Sequence, residues 1–228
     1  MRITTDSPRR RSSLALVATA SAVLALALAG GHTAQGHGNP HVEDARSGMS
    51  AKQLALHDDM RKLWEDHITW TRLFIVSASA DLPDQQATTE RLLRNQQDIG
   101  DAIKPFYGRR AGERLSALLT EHILIAADIL AAAKAGDQAA VERHSRKWSR
   151  NGDQIADFLH SANPRHWARK EMRAMMRDHL RLTLTEATAH LQGDHATDIR
   201  TYDKVHRQIL KMADMLSDGI AAQFPKRF

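Results

Sequence analysis

The sequence predicts an all-α protein: a bundle of six antiparallel helices built from three repeated helical hairpins of about 56 residues each. Three observations predict this fold. Apolar residues recur at helical spacing in six long segments, turn residues separate those segments, and two short motifs repeat with nearly the same period. The predicted helices cover residues 50–80, 84–104, 110–135, 137–161, 167–192 and 194–223.

Residues 1–29 have the pattern of an export signal. A basic head, Arg9 to Arg11, precedes an apolar run from Leu14 to Ala29 that ends in a small-x-small cleavage pattern. The run is shorter than the roughly 20 residues that span a bilayer, which favours cleavage over a permanent anchor. We therefore expect residues 1–29 to be a signal peptide and the protein to be exported, extracellular or at the cell surface. We expect no integral membrane segment after cleavage, and the secretory and twin-arginine routes both stay open.

Residues 30–48 form a predicted flexible linker, because they are rich in glycine and histidine and lack apolar periodicity. His32, His37 and His41 in this linker are weak metal ligands or simply polar residues of a tether. Residues 49–228 form the predicted helical domain, which is long enough to bury one core.

Composition excludes several classes of function. Removal of the signal changes 32 basic and 27 acidic residues to 28 and 26, so the formal charge falls from +5 to +2. Nucleic-acid binding then loses its electrostatic support. The chain has no cysteine, which excludes disulfides, thiolate ligands and heme attached through Cys-x-x-Cys-His. It has no Gly-x-Ser-x-Gly elbow either, so nucleophilic catalysis is not expected.

Turn residues set the limits of the hairpins. Four prolines are expected between helices, with none interrupting a helix, because proline removes a backbone donor. Three turns end in an aspartate at the position of a helix N-cap, namely Asp84, Asp137 and Asp194. The predicted hairpins cover 50–104, 110–161 and 167–223. The four prolines are Pro83, Pro105, Pro164 and Pro225.

Two motifs repeat along the chain. The segments LWEDHI, LLTEHI and MMRDHL place a histidine at positions 67, 122 and 179, so the copies follow one another at nearly equal steps. A second motif recurs with nearly the same step, as Ile99-Gly100-Asp101, Ile155-Ala156-Asp157 and Met212-Ala213-Asp214. Because two independent motifs share this period, we interpret the domain as three copies of one hairpin.

The histidines of the first motif are the candidate site. Positions equally far from a hairpin turn lie level with each other, so each histidine should face a polar residue of the second helix. The count gives Asp98 to Asp101 opposite His67, Asn151 opposite His122, and the neighbourhood of His206 opposite His179. The acids before the histidines lie about 100° around the helix and cannot all point inward with them. These acids are Asp66, Glu121 and Asp178.

Two interpretations of these histidines stay open. In the first, each is buried at a helix seam and satisfied by a polar partner, which fixes the register of the helices. In the second, they form a metal or small-ligand site between helices, as in other bundles. The candidate ligands are nitrogen-rich, which suits zinc, copper or iron. They are His67, His122, His179 and His206, with Glu186.

Other side chains suggest surfaces for partners. Trp64 occupies a core position of the repeated motif, whereas Trp70 has no such role and could line a ligand groove. The basic segments Arg109-Arg110 and Arg143 to Arg150 are solvated helix faces or, alternatively, contacts to anionic polymers of the cell surface.

Several strings in order resemble a family of uncharacterised secreted bacterial all-helical proteins. The likeness covers about residues 63–224, and members are sometimes labelled acetylglutamate kinase or glycosyltransferase. The resemblance implies an exported helical protein and, through those labels, a transferase. The sequence lacks the strand-helix alternation and the glycine-rich phosphate loop that such transferases need. The strings are LWEDHITWTR, RNQQDIGDAIKPFYG, EHILIAADILAAAKAGD, DHLRLTLTEA and MADMLSDGIAAQFP.

The sequence therefore supports one function and two alternatives. We expect a non-enzymatic, secreted or surface-associated helical protein that binds a metal ion, a small ligand or a surface partner. A metal-dependent helical-bundle enzyme is the first alternative. A kinase or glycosyltransferase, as the labels imply, is the second.

Overall fold

A computed structural model of the chain describes residues 48–228. The predicted signal peptide and nearly all of the predicted linker lie outside the described residues. The described part is all-helical and contains no strand, which confirms the predicted fold class. Its six α-helices are α1 (Ala51–Ser79), α2 (Gln85–Tyr107), α3 (Arg109–Lys134), α4 (Gln138–Ala162), α5 (Arg169–Leu191) and α6 (His195–Gln223), followed by a 3₁₀ turn (Pro225–Arg227).

The prediction that no proline interrupts a helix is wrong at Pro105, which lies inside the last turn of α2. Proline there forfeits one backbone hydrogen bond, but the two residues after it gain tertiary contacts. The ring of Phe106 lies 5.8 Å from that of Phe224, and the Tyr107 hydroxyl donates to Gln223 at 2.6 Å. Packing against the C-terminal segment therefore carries the helix past the proline.

The three cap aspartates occupy the predicted N-cap positions, but only two of them cap in the expected way. The side chains of Asp137 and Asp194 each accept a hydrogen bond from the backbone N–H three residues later, at 2.9 and 3.0 Å. Asp84 makes no such bond and instead accepts the Ser77 hydroxyl at 2.9 Å. The turn between α1 and α2 is therefore held by the hydrogen bond between Ser77 of α1 and Asp84.

Helix contacts bring the first, third and fifth helices to the centre. Each helix packs against the next one along the chain, and α1 packs against α6. In addition, α1, α3 and α5 contact one another directly. These contacts are consistent with three hairpins packed around a common axis, while the antiparallel order and the repeat themselves stay predictions.

The α3 helix is long and apolar enough to span a membrane by length and composition, with a mean hydropathy of 1.7 over its most apolar window. More than half of that window is buried inside the protein. Its apolar residues pack in the core, and Leu115, Leu118, Leu119 and Ile125 are among the most buried of them.

The second repeated motif has the same burial at each copy. Ile99, Ile155 and Met212 are buried in the core cluster, and the alanines after the second and third are fully buried. The first copy has Gly100 instead of alanine because α2 and α3 approach closely there. A Cβ on Gly100 would lie 2.6 Å from the carbonyl oxygen of Gly112.

Gly100→Ala is therefore expected to lower the free energy of unfolding by about 1–3 kcal/mol, since the clash is with backbone and forces the two helices apart. Urea denaturation measures the change. Gly152→Ala is the matched control, because a Cβ there meets only the side chains of Leu180 and Met176, at ordinary distances of 3.4 Å or more. The control should be neutral or stabilising, because alanine favours a helix by about 1 kcal/mol over glycine. Equal losses in both variants would contradict the close approach as the cause.

Candidate functional site

Three histidines meet at the centre of the protein. His67 on α1, His122 on α3 and His179 on α5 are only 2%, 3% and 4% exposed. The ring centroid of His179 lies 5.8 Å from that of His67 and 6.2 Å from that of His122. The structure thus brings together the three histidines of the repeated motif, which we call the core triad.

The acids that precede these histidines form ion pairs at or near the surface. Asp66 pairs with Lys62 at 2.6 Å, Glu121 lies 3.8 Å from Lys147, and Asp178 pairs with Arg181. None of these three carboxylates belongs to the core triad, as the helical geometry predicted.

A carboxamide orients each of two core-triad rings in the same way. Nδ1 of His122 donates to Asn151 at 2.9 Å, and Nδ1 of His179 donates to Gln208 at 3.2 Å. Each amide nitrogen donates in turn to the backbone carbonyl four residues before the histidine, at 3.1 and 3.2 Å. The partner of His122 was predicted correctly, and that of His179 lies two residues beyond His206.

The first histidine has a different arrangement. Gln96 presents its Nε2 to Nδ1 of His67 at 3.3 Å, and Asn95 donates to the carbonyl of Leu63 at 3.0 Å. These residues lie just before the predicted partners Asp98 to Asp101. The Gln96 nitrogen also donates to the Leu92 carbonyl, at 2.8 Å, and in its contact with His67 it is the donor and Nδ1 the acceptor.

The core triad is electrically neutral at neutral pH. Burial lowers the pKa of His122 to about 3 and that of His179 to about 4, and it places the pKa of His67 well below its usual value. The neighbouring rings of the triad lower the pKa of His67 and His122 further. Neutral imidazole is the form that binds metals.

Two tryptophans cover the core triad. Trp64 meets the ring of His67 edge-on at 5.6 Å and is buried, as its position in the motif predicted. Trp148 lies 5.0 Å from His122 and donates to its backbone carbonyl at 3.1 Å. Trp70 instead lies under the guanidinium of Arg91, 5.1 Å from its ring centre.

An apolar cavity of about 40 Å³ lies one helical turn beyond the histidines. Thr71, Thr183 and Ala126 line it, at positions one turn after the three histidines. The Thr71 hydroxyl donates to the carbonyl of His67 at 2.7 Å, while the buried Thr183 hydroxyl has no partner. The space suffices for one or two water molecules.

The other two predicted ligands lie outside the core triad. His206 is 41% exposed on α6, where its Nε2 lies 2.8 Å from Glu65. Glu186 is buried on α5, where it accepts a bond from Arg72 at 2.8 Å. The structure therefore places three of the five predicted ligands together and gives the other two ionic partners.

A second polar cluster centres on Arg72, and the sequence analysis missed it. The Arg72 guanidinium donates to both oxygens of Asp198, at 2.7 and 3.1 Å, and also to Glu186. His190 completes the cluster, because its Nδ1 lies 2.9 Å from Asp198. Glu186 and Asp198 are each only 2% exposed, whereas Arg72 is 24% exposed.

The two carboxyls of this cluster titrate differently. Burial raises the pKa of Glu186 to about 7, although the bond from Arg72 opposes it. Burial also tends to raise the pKa of Asp198. Hydrogen bonds from Arg72 and His190 outweigh this effect, so the pKa of Asp198 lies below its usual value. Asp198 is therefore the permanent anion of the cluster.

Comparison of the chain with protein-family models, curated proteins and solved structures finds no match.

Proposed function

We propose that the protein is a non-enzymatic, exported helical protein that binds a transition metal ion, such as zinc, copper or iron, through His67, His122 and His179. In this proposal, its six helices form three antiparallel hairpins, one for each copy of the repeat, around the ion. The export pattern of residues 1–29 supports a place outside the cytoplasm.

The convergence of three buried, neutral imidazoles carries this proposal. With metal–nitrogen bonds of about 2.0–2.1 Å, three imidazoles around one ion place their ring centroids about 5–5.5 Å apart. The two measured separations are 5.8 and 6.2 Å. Both exceed that range, so binding requires the rings to move inward and to rotate toward a common point.

The carboxamides support the same proposal. A metal-bound histidine usually donates its other ring N–H to an acceptor, which fixes the ring and raises its basicity. Asn151 and Gln208 already hold His122 and His179 in that way. For His67 to reach the same state, its ring proton must lie on Nδ1 and the Gln96 amide must turn its Oε1, which is buried without a hydrogen-bond partner, toward the ring. That rotation gives up the bond from Gln96 Nε2 to the Leu92 carbonyl, at 2.8 Å.

The size of the adjacent cavity favours binding over catalysis. Small-molecule sites occupy roughly 300–1,000 Å³, whereas the cavity beside the core triad has about 40 Å³. The three histidines do not line this cavity, which has room for one or two waters beside an ion held by the core triad but not for an organic substrate. A metal-dependent enzyme stays the alternative, and it predicts an activity that a chelator abolishes.

The proposal predicts about one equivalent of transition metal per chain, held by the core triad. The full chain should be used with His32, His37 and His41 replaced by alanine, which removes the linker histidines as competing ligands. Metal content by mass spectrometry and thermal melting with and without a chelator are the measurements. We expect the chelator to lower the melting temperature, because an ion that binds only the folded state stabilises it.

His67→Ala with His179→Ala should lose the equivalent held by the core triad, and His166→Ala, at an exposed position, should retain it. A double variant that melts lower but binds as much metal as its parent would overturn the proposal. The core triad would then serve only to hold the helices in register.

A further inference from the structure

His190, His195 and Asp198 lie around the turn between α5 and α6. Each offers one ligand atom, and these atoms all lie within 4.8 Å of one another. Among residues 48–228, no other group of three or more histidines and acids is this compact. The rings of the two histidines lie 5.7 Å apart, and neither histidine belongs to the core triad.

The local sequence fixes this arrangement. His190 is in the last turn of α5, and Gly193, with φ of 72°, reverses the chain after it. Asp194 then caps α6, whose first residue is His195. Asp198 follows three residues later, so it shares a face of the helix with His195. The helix end, the turn and the next helix start therefore set the spacing of the three ligands.

The carboxylate of Asp198 has room for an ion. Its two oxygens offer about four acceptor positions, and three are used, two by Arg72 and one by His190. A metal ion that replaces the proton on Nδ1 of His190 would meet the same carboxylate oxygen. The positive charge of Arg72 is matched by Asp198 and shared with Glu186, so the ion would not enter a net cationic site.

We propose that His190, His195 and Asp198 form a second metal site, which takes a borderline divalent cation such as Zn²⁺, Cu²⁺ or Ni²⁺. Two imidazoles and one carboxylate are a donor set that suits these ions. His195 is exposed, so water completes the coordination from the solvent side. The site is independent of the core triad and exchanges its ion with solvent more readily.

The test titrates Cu²⁺, Ni²⁺ and Zn²⁺ into the full chain lacking the three linker histidines, with calorimetry as the readout. To isolate this second metal site, the titration is repeated with His67→Ala and His179→Ala added. We expect one equivalent to remain bound in that protein. His195→Ala should weaken this binding by at least about tenfold, and His166→Ala should leave it unchanged. Because His195 and His166 are both exposed, neither variant should disturb folding.

Electron paramagnetic resonance of the Cu²⁺ form adds a readout that affinity alone does not give. We expect the Cu²⁺ signal to show hyperfine coupling to two imidazole nitrogens, and His195→Ala should reduce it to coupling with one. The inference is overturned if His195→Ala binds Cu²⁺ as tightly as its parent, or if the spectrum does not change. If the core triad of the parent binds no metal while His190, His195 and Asp198 do, the proposed function is contradicted and this inference stands.

Discussion

Acidification from pH 7.5 to pH 5 is expected to lower the free energy of unfolding of the metal-free protein by several kcal/mol. The cause is the core triad. The pKa of a histidine is about 6.5 in the unfolded chain, but about 3 for His122 and about 4 for His179 in the folded protein, and well below 6.5 for His67. At pH 5, unfolding therefore lets all three rings take up a proton.

The sign and size follow from proton linkage. Stability from these histidines is fully present above pH 6.5 and is lost as the pH falls toward their folded pKa values. His122 and His179 each contribute a loss of about 2 kcal/mol at pH 5, since one pKa unit corresponds to about 1.4 kcal/mol, and His67 acts in the same direction. Urea denaturation at a series of pH values between 7.5 and 5 measures the slope.

Glu186 acts in the opposite direction and provides a control. Its folded pKa is raised to about 7, so its contribution is present at low pH and is lost as the pH rises toward 7. Through Glu186, acidification to pH 5 thus raises the free energy of unfolding by at most about 3 kcal/mol. Glu186→Gln should therefore lose stability more steeply than the parent, while His166→Ala should follow the parent. A flat profile between pH 7.5 and 5 would show that the core triad is accessible to protons when folded.

The helices could be predicted from the sequence because their signals are local. Apolar periodicity and turn residues place all six helices, and every end lies within three residues of the prediction. The largest error, at the end of α2, arose because Phe106 and Tyr107 continue the helix through contacts with Phe224 and Gln223, which are distant in the sequence. No local signal describes such contacts.

The candidate site was predictable only where it repeats. Three copies of one motif singled out the core triad, but the turn length shifted the partner of His67 to Gln96. The Arg72 cluster has no such repeat, because Arg72 lies 114 and 126 residues from its two carboxylates. The sequence did contain one local signal, for the metal ligands at the turn between α5 and α6. His190 and His195 flank a Gly-Asp turn, and Asp198 follows at i+3, a spacing that suits metal ligands on one helix face.

Replacement of Arg72 by alanine is expected to lower the free energy of unfolding by about 3–5 kcal/mol. The change leaves Asp198 and Glu186 buried without their cation, and an uncompensated buried charge is among the most costly defects in a fold. It also removes the guanidinium from the ring of Tyr202, 4.8 Å away. Urea denaturation at pH 7.5 measures the loss.

A second-site change separates lost charge compensation from lost packing. Adding Asp198→Asn and Glu186→Gln to Arg72→Ala should recover much of the stability, because neutral amides cost less to bury than unpaired carboxylates. If packing of the arginine stem dominates, the triple variant will be no more stable than the single one.

Arg173 provides the matched control for the role of burial. Its guanidinium donates to both oxygens of Asp157, at 2.9 and 2.6 Å, as that of Arg72 does to Asp198. The side chains of Arg173 and Asp157, however, are 34% and 35% exposed. Water screens such a pair and solvates the carboxylate that remains after the arginine is removed, so exposed ion pairs contribute little. Arg173→Ala should therefore change stability far less than Arg72→Ala. Equal losses would mean that the fork geometry, and not the burial of the two acids, determines how strongly an arginine stabilises this fold.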